Sequence, residues 1–330
     1  MTRKLNILSS LAILITVAGA LAGCAVLTKS QVKEVERLAQ ATKTYDQLPG
    51  DAIRAYQEAF LTGRELEITS RAIEDKKDAD ANWQKLVEAV GLDRQLAEQA
   101  GRADDALQVI DTYAELLGQL TADTFTRELE KSSEALAESL EKAIAKYNKV
   151  YGANLDASFS SAVAAAVRGL GGIYIKWRQA KLLRAYVELF DRAVPTLTED
   201  VVNLAELLSC PCGDSKCACV SHPSTACPSH IRLCAELSAV QVRFWGAAKR
   251  SRRADFDTVD ATATVLRRLQ ATCELGTAAA SGARRYRAAH AALRANLEKR
   301  RRLTALIEEV QVLVNEMKAA RKLRDKLSKS

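Results

Sequence analysis

Apolar residues recur every three or four positions along most of this 330-residue chain, and this period constrains its fold more than any other feature. Spacings of three, four and seven residues place side chains on one face of an α-helix. No stretch alternates apolar and polar residues for long enough to make a sheet, and five prolines are few for a β fold. The pattern predicts an all-α protein, an elongated bundle of long antiparallel helices with coiled-coil-like seams.

The clearest apolar face belongs to the last predicted helix, where the steps between apolar residues are three, four, three, four and three. Its members are Leu303, Leu306, Val310, Leu313, Met317 and Ala320. Such a heptad seam requires a partner helix. We expect an antiparallel neighbour within the chain, and a second copy of the chain is the alternative. Three further faces are Val35, Leu38, Ala41 and Tyr45; Leu129, Leu136, Leu140, Ala143, Tyr147 and Val150; and Leu183, Val187, Phe190 and Val194.

Glycine and proline predict where the helices end. Pro49-Gly50 is expected to end the first helix, and Gly101, Gly118 and Gly152 are expected to mark later turns. Pro195 precedes the segment from Thr196 to Glu199, which has the spacing of a capping box and predicts a new helix there.

The N-terminus has the layout of a secretory signal. Arg3 and Lys4 are followed by an apolar stretch over residues 11–18 and then by Leu21-Ala22-Gly23-Cys24. This last motif resembles the lipobox of bacterial lipoproteins. The resemblance implies cleavage before Cys24, acylation of Cys24, and a membrane-tethered mature chain. In lipoproteins of this type, an aspartate directly after the acylated cysteine is the retention signal for the inner membrane. Ala25 occupies that position here, so the resemblance also implies the outer membrane of the cell envelope. An uncleaved transmembrane anchor is the alternative, but the apolar run is short of about 20 residues.

Cysteines are concentrated in one segment, Cys210, Cys212, Cys217, Cys219, Cys227 and Cys234. An exported protein lies where thiols oxidise, so we expect disulfides, including one between Cys210 and Cys234 that joins two helix ends. The alternative is a Zn or Cu(I) site in a metal-handling lipoprotein, since thiolate and imidazole are ligands of these ions. Its candidate ligands are Cys212, Cys217, Cys219, His222, Cys227 and His230. Cys273 follows Leu266 and Leu269 on an apolar face, which predicts a buried thiol.

The segments divide the chain into four regions. These are a signal peptide at 1–23, an N-terminal helical region at 24–209, a Cys-rich loop at 210–234 and a basic C-terminal helical region at 235–330.

Positive charge is concentrated in the C-terminal third, because residues 241–330 carry 21 Lys and Arg against 9 Asp and Glu. The densest runs include Arg252, Arg253, Arg284, Arg285, Arg300, Arg301 and Arg302. In an envelope protein such runs favour phospholipid head groups, lipopolysaccharide or wall polymer over nucleic acid. Solvated helix faces are the alternative for any single run.

The sequence contains no phosphate loop, nucleophile elbow or paired-histidine metal motif. His290 has no nucleophile or carboxylate near it in sequence. We therefore expect a non-catalytic interaction or structural protein with no cofactor, which binds a protein or an anionic envelope component; a homo-oligomer is possible. A membrane-perturbing helical toxin is a third alternative, suggested by the many small residues of segment 160–177. We favour close packing against other helices as the role of these small residues.

Substituting Cys24→Ala is expected to abolish processing of the signal and attachment to the membrane, because the acylated thiol is lost. Intact mass and membrane fractionation measure both effects, with Ser30→Ala as a control that leaves the motif intact. Normal processing and membrane retention of Cys24→Ala would refute the lipobox prediction.

Overall fold

The computed structural model describes residues 27–45, 48–74, 79–122, 127–159, 175–206, 208, 256–299 and 303–327. Every regular element within these ranges is an α-helix, as the periodicity predicts. The helices are α1 (Lys29–Tyr45), α2 (Leu48–Glu74), α3 (Ala79–Leu120), α4 (Arg127–Tyr151), α5 (Ile175–Phe190), α6 (Ala193–Glu206), α7 (Phe256–Lys299) and α8 (Leu303–Leu327).

Two long helices organise the core. Helix α7 packs against α1, α2, α5, α6 and α8, and helix α3 packs against α1, α2, α4, α5 and α6. One cluster of buried apolar side chains runs from Val35 on α1 to Ala320 on α8. The N-terminal and C-terminal helical regions therefore contribute to the same core, and Cys273 is buried within it.

Small residues on α7 allow its neighbours to approach closely. Gly276, Ala279, Ala280, Gly282 and Ala283 form this stripe, and all five are buried. At Gly276, an added Cβ atom would lie 3.1 Å from the carbonyl oxygen of Ala205 on α6. Because the stripe has little side-chain bulk, α1, α6 and α8 pack against it at short range.

Polar contacts attach α1 to α7 at both ends of α1. Thr28 and Gln31 form a reciprocal capping box, with Gln31 N donating to Thr28 Oγ1 (3.2 Å) and Thr28 N donating to Gln31 Oε1 (2.9 Å). Gln31 Nε2 also donates to Oδ1 of the buried Asn296 at 2.7 Å. At the other end, the hydroxyl of Tyr45 donates to the carbonyl oxygen of Ala279 at 2.5 Å.

Most described residues of the predicted apolar faces are buried, Leu136, Ala143 and Leu303 are partly buried, and Val150 is exposed. On α8, Leu306, Val310, Leu313, Met317 and Ala320 are at most 1% exposed and face α7, α1 and α2 of the same chain. The α1 face and the face from Leu183 to Val194 are also buried. Val150 is 56% exposed. The buried stripe of α4 instead follows Ala137, Leu140, Ile144 and Tyr147.

Of the five helix boundaries predicted from glycine and proline, four lie within four residues of an observed helix end or start, and Gly101 does not. Gly101 lies inside the unbroken α3, because burial of its apolar face offsets the roughly 1 kcal/mol by which glycine disfavours a helix. Gly118 lies in the last turn of α3, which ends at Leu120. Pro49 and Pro195 both lie in the first turns of helices, where a missing N–H leaves no intrahelical bond unmade. Gly152 does follow the end of α4, with φ +66°.

Gly282→Ala is expected to destabilise the fold by about 1–3 kcal/mol, because the new Cβ would lie 2.5 Å from Met317 Cε and 2.7 Å from the buried ring of Tyr45. Gly101→Ala is the matched control, since no atom lies within 4 Å of its added Cβ. It is expected to stabilise the exposed middle of α3 by about 0.5–1 kcal/mol. Denaturant unfolding measures both, and a Gly282→Ala variant as stable as the parent would contradict close packing.

Candidate functional site

Most residues that the sequence singled out lie outside the described ranges. These are Cys24, the six cysteines and two histidines of the 210–234 segment, Arg252, Arg253, Arg300, Arg301 and Arg302. Arg284 and Arg285 are described, and both are exposed on α7. Among the described residues, no group of histidine, cysteine and carboxylate side chains could hold a metal ion.

His290 lies at the centre of a buried polar cluster. The hydroxyl of Tyr113 on α3 lies 3.0 Å from its Nε2 atom, and Oδ1 of Asp191 lies 3.5 Å from its Nδ1 atom, which is long for a hydrogen bond. The ring of Tyr113 stacks on Phe190 at 3.7 Å between centroids. Arg294 forms an ion pair with Asp191. The cluster joins α3, the turn between α5 and α6, and α7.

Burial determines the protonation states in this cluster. Desolvation lowers the pKa of His290 below its usual value, although Asp191 opposes this shift. The neighbouring His290 and Arg294 lower the pKa of Asp191. The neutral imidazole carries its proton on Nδ1. Its Nε2 atom then accepts a hydrogen bond from the Tyr113 hydroxyl, and its Nδ1–H group points towards Asp191.

The order carboxylate, imidazole and hydroxyl is the one that activates nucleophiles in some enzymes. Here the hydroxyl is a phenol whose pKa is raised well above its usual value by burial, and the His290 side chain is 0% exposed. The contacts of the cluster join α3, the turn between α5 and α6, and α7, so we call this cluster the internal brace.

A second polar network joins α3, α4 and α6 near the surface. Arg102 Nη2 contacts both carboxylate oxygens of Asp200 at 3.0 Å, and the hydroxyl of Tyr147 donates to the same carboxylate. The hydroxyl of Tyr151 donates to Asp105 at 2.8 Å, and desolvation together with this carboxylate raises the pKa of Tyr151 to about 12. The network fixes α4 and α6 against α3.

Exposed arginines follow the small-residue stripe on α7. Arg284 forms an ion pair with Glu206 on α6. Arg285 and Arg287 are exposed and form no ion pair with another described residue. Between Glu274 and Glu298, α7 carries no carboxylate, so the positive charge of these arginines is not neutralised within their own helix.

The neighbouring helix α8 adds cations to the same part of the fold. Lys318, Arg321 and Lys322 are exposed and form no ion pair with another described residue. They follow Met317, whose methyl group lies against Gly282, three residues before Arg285. Between Glu316 and Asp325, α8 carries no carboxylate. We name Arg285, Arg287, Lys318, Arg321 and Lys322, the exposed cations on either side of the contact between Gly282 and Met317, the α7–α8 basic surface.

The sequence predicted part of this surface. It singled out Arg284 and Arg285 as a basic run, but the lysines and arginine of α8 were missed because they are spread over one helix. The absence of carboxylates between Glu316 and Asp325 is the signal that could have found them. No comparable signal links His290 to Asp191, because the two residues are 99 positions apart in the sequence.

No family model, curated protein or solved structure matched this chain. Within the part of the chain that the structure describes, no helix has the length and apolar character needed to cross a membrane.

Tyr113→Phe is expected to destabilise the fold by about 1–3 kcal/mol, because it leaves Nε2 of the buried His290 without its partner. Tyr286→Phe is the matched control. It removes the same atom from a buried ring whose hydroxyl has no hydrogen-bond partner among the described residues, so it is expected to be neutral or stabilising. Equal free energies of unfolding for the two variants would contradict the brace.

The lowered pKa of His290 predicts that acid destabilises the fold. Above about pH 6.5 the residue is neutral in both states, whereas below it the unfolded chain takes up a proton that the folded chain does not. The free energy of unfolding should therefore fall by up to about 1.4 kcal/mol per pH unit, until the pH reaches the folded-state pKa. Denaturant unfolding between about pH 7 and pH 5 measures this slope. His290→Gln should reduce it by this amount, and an unchanged slope would exclude His290 as its source.

Proposed function

We propose that this chain is a non-catalytic lipoprotein of the bacterial cell envelope, attached to a membrane through Cys24, with the outer membrane as its location. In this proposal the helices form an elongated antiparallel bundle that projects into the envelope space, and the 210–234 segment is a disulfide-bonded loop. The bundle binds a protein or an anionic envelope component through its helical surface.

The α7–α8 basic surface is the observation that supports this proposal best. Five exposed cations lie on two helices that pack together, and they form no ion pair with another described residue. Cations that serve only solubility are commonly mixed with carboxylates along a helix. Helix α4 is an example, because its exposed lysines, such as Lys131, lie among the exposed Glu134 and Glu138. A surface of one sign attracts a partner of opposite charge and does so more strongly at low salt.

Reversing three charges of this surface tests the proposal. The variant Arg285→Glu, Arg287→Glu, Lys322→Glu is expected to weaken binding to anionic wall fragments or anionic phospholipid vesicles by at least about tenfold at low salt, since each cation near an anionic surface contributes about 1 kcal/mol. Co-sedimentation measures the affinity.

The control is Lys131→Glu, Lys142→Glu, Lys149→Glu, which makes the same change in net charge at exposed positions of α4. It is expected to retain most of the binding. Unchanged binding by the first variant would refute the basic surface as the contact, and equal losses in both variants would show an effect of net charge alone.

A further inference from the structure

The contacts of α1 place the beginning of the mature chain at one end of the helix packing. Gln31 in the first turn of α1 bonds Asn296 in the last turn of α7, and both side chains are buried. Leu27, just before α1, packs against the core. We name the first turn of α1, the last turn of α7 and the first turn of α8 the entry end of the bundle.

A lipid on Cys24 would hold this end at the membrane. Two residues, Ala25 and Val26, lie between Cys24 and Leu27, so the Cα atoms of Cys24 and Leu27 are at most about 11 Å apart when the chain is fully extended. Because Leu27 packs against the core, the Cα atom of Cys24 can lie no farther than this from the Cα atom of Leu27 at the entry end. This step rests on the proposed lipid anchor.

The first two turns of α1 are suited to an anionic head-group layer. Lys29 and Lys33 are exposed, lie one turn apart and form no ion pair with another described residue. The nearest carboxylate in sequence, Glu34, is only 5% exposed and is paired with Arg37 at 3.3 Å. Glu36 in the second turn is only partly exposed, so Lys29 and Lys33 give the exposed side of the first turn a positive charge.

The α7–α8 basic surface lies farther along the helices. Its nearest member, Arg287, is nine residues from Asn296, about 14 Å along the axis of α7, and Gly282 is about 21 Å from Asn296. The Debye length at physiological salt is about 8 Å. In a bundle standing on its entry end, the surface is thus too far from that membrane to interact with it appreciably.

We propose that the entry end is the membrane-contacting surface of this protein, with Lys29 and Lys33 against phosphate-bearing lipid head groups. The bundle then projects from the membrane, and the α7–α8 basic surface is left to bind a partner other than the anchoring bilayer.

Photo-crosslinking of the full-length acylated protein tests this orientation. A photoreactive amino acid is placed at Ser30 near the entry end, at Lys318 on the basic surface and at Gln95 on α3, all exposed positions. The protein is reconstituted in vesicles of equimolar phosphatidylglycerol and phosphatidylethanolamine. Lipid adducts are expected at Ser30 in at least about tenfold excess over Lys318 and Gln95, because a photoreactive side chain reacts only with groups that it contacts and, of the three positions, Ser30 alone lies at the entry end.

A charge variant tests the lipid contact itself. In the variant Lys29→Gln, Lys33→Gln, the ratio of phosphatidylglycerol to phosphatidylethanolamine adducts at Ser30 should fall by about fivefold or more, because the cations that attract the anionic lipid are lost. Lys142→Gln, Lys149→Gln on α4 is the control and should keep the preference.

The outcomes separate the orientation from the anchor. Adducts at Lys318 as abundant as at Ser30, in protein whose mass shows acylation, would overturn the upright orientation alone. An unchanged phosphatidylglycerol preference after loss of both lysines would overturn their role. Protein recovered without acyl chains would overturn the anchor of the proposed function, and the orientation with it.

Discussion

Close packing around α7 is the constraint on which the rest of the structure depends. Five helices contact α7, and a helix surrounded to this extent must present small side chains where its neighbours approach most closely. Gly276 and Gly282 do this against α6 and against α1 and α8. Without such close approach the apolar faces of α1 and α8 would meet α7 across gaps, and the contacts between them would weaken steeply with distance.

An interface built largely from alanine and glycine specifies the positions of its helices only weakly, because many small side chains can replace one another in such a contact. Buried polar pairs provide the missing specificity here. Gln31 with Asn296, Tyr45 with the carbonyl oxygen of Ala279, and Tyr113 with His290 can each be satisfied in one arrangement of the helices. A shifted arrangement would leave these polar groups buried without partners, which costs free energy for each group.

The same packing separates two kinds of surface. The first turn of α1 is held beside the last turn of α7, so Leu27, the first described residue, lies at that end. The exposed cations of α7 and α8 instead lie along the sides of the helices, on either side of the contact of Gly282 with Tyr45 and Met317. Anchoring and binding can therefore occupy different parts of the chain, and in the proposed function they do.

The sequence by itself determined the helical class, the buried faces of α1 and α8, and the end of α4 at Gly152, because each depends on interactions between residues a few positions apart. It also pointed to Arg284 and Arg285, which are neighbours in one run. Only the tertiary structure decided that Gly101 continues α3, that Asp191 faces His290, and that exposed cations of α7 and α8 lie near the contact of Gly282 with Met317. These features depend on which distant segments pack together, and the free energy that selects this packing comes from burial shared by the whole core, which no local pattern records.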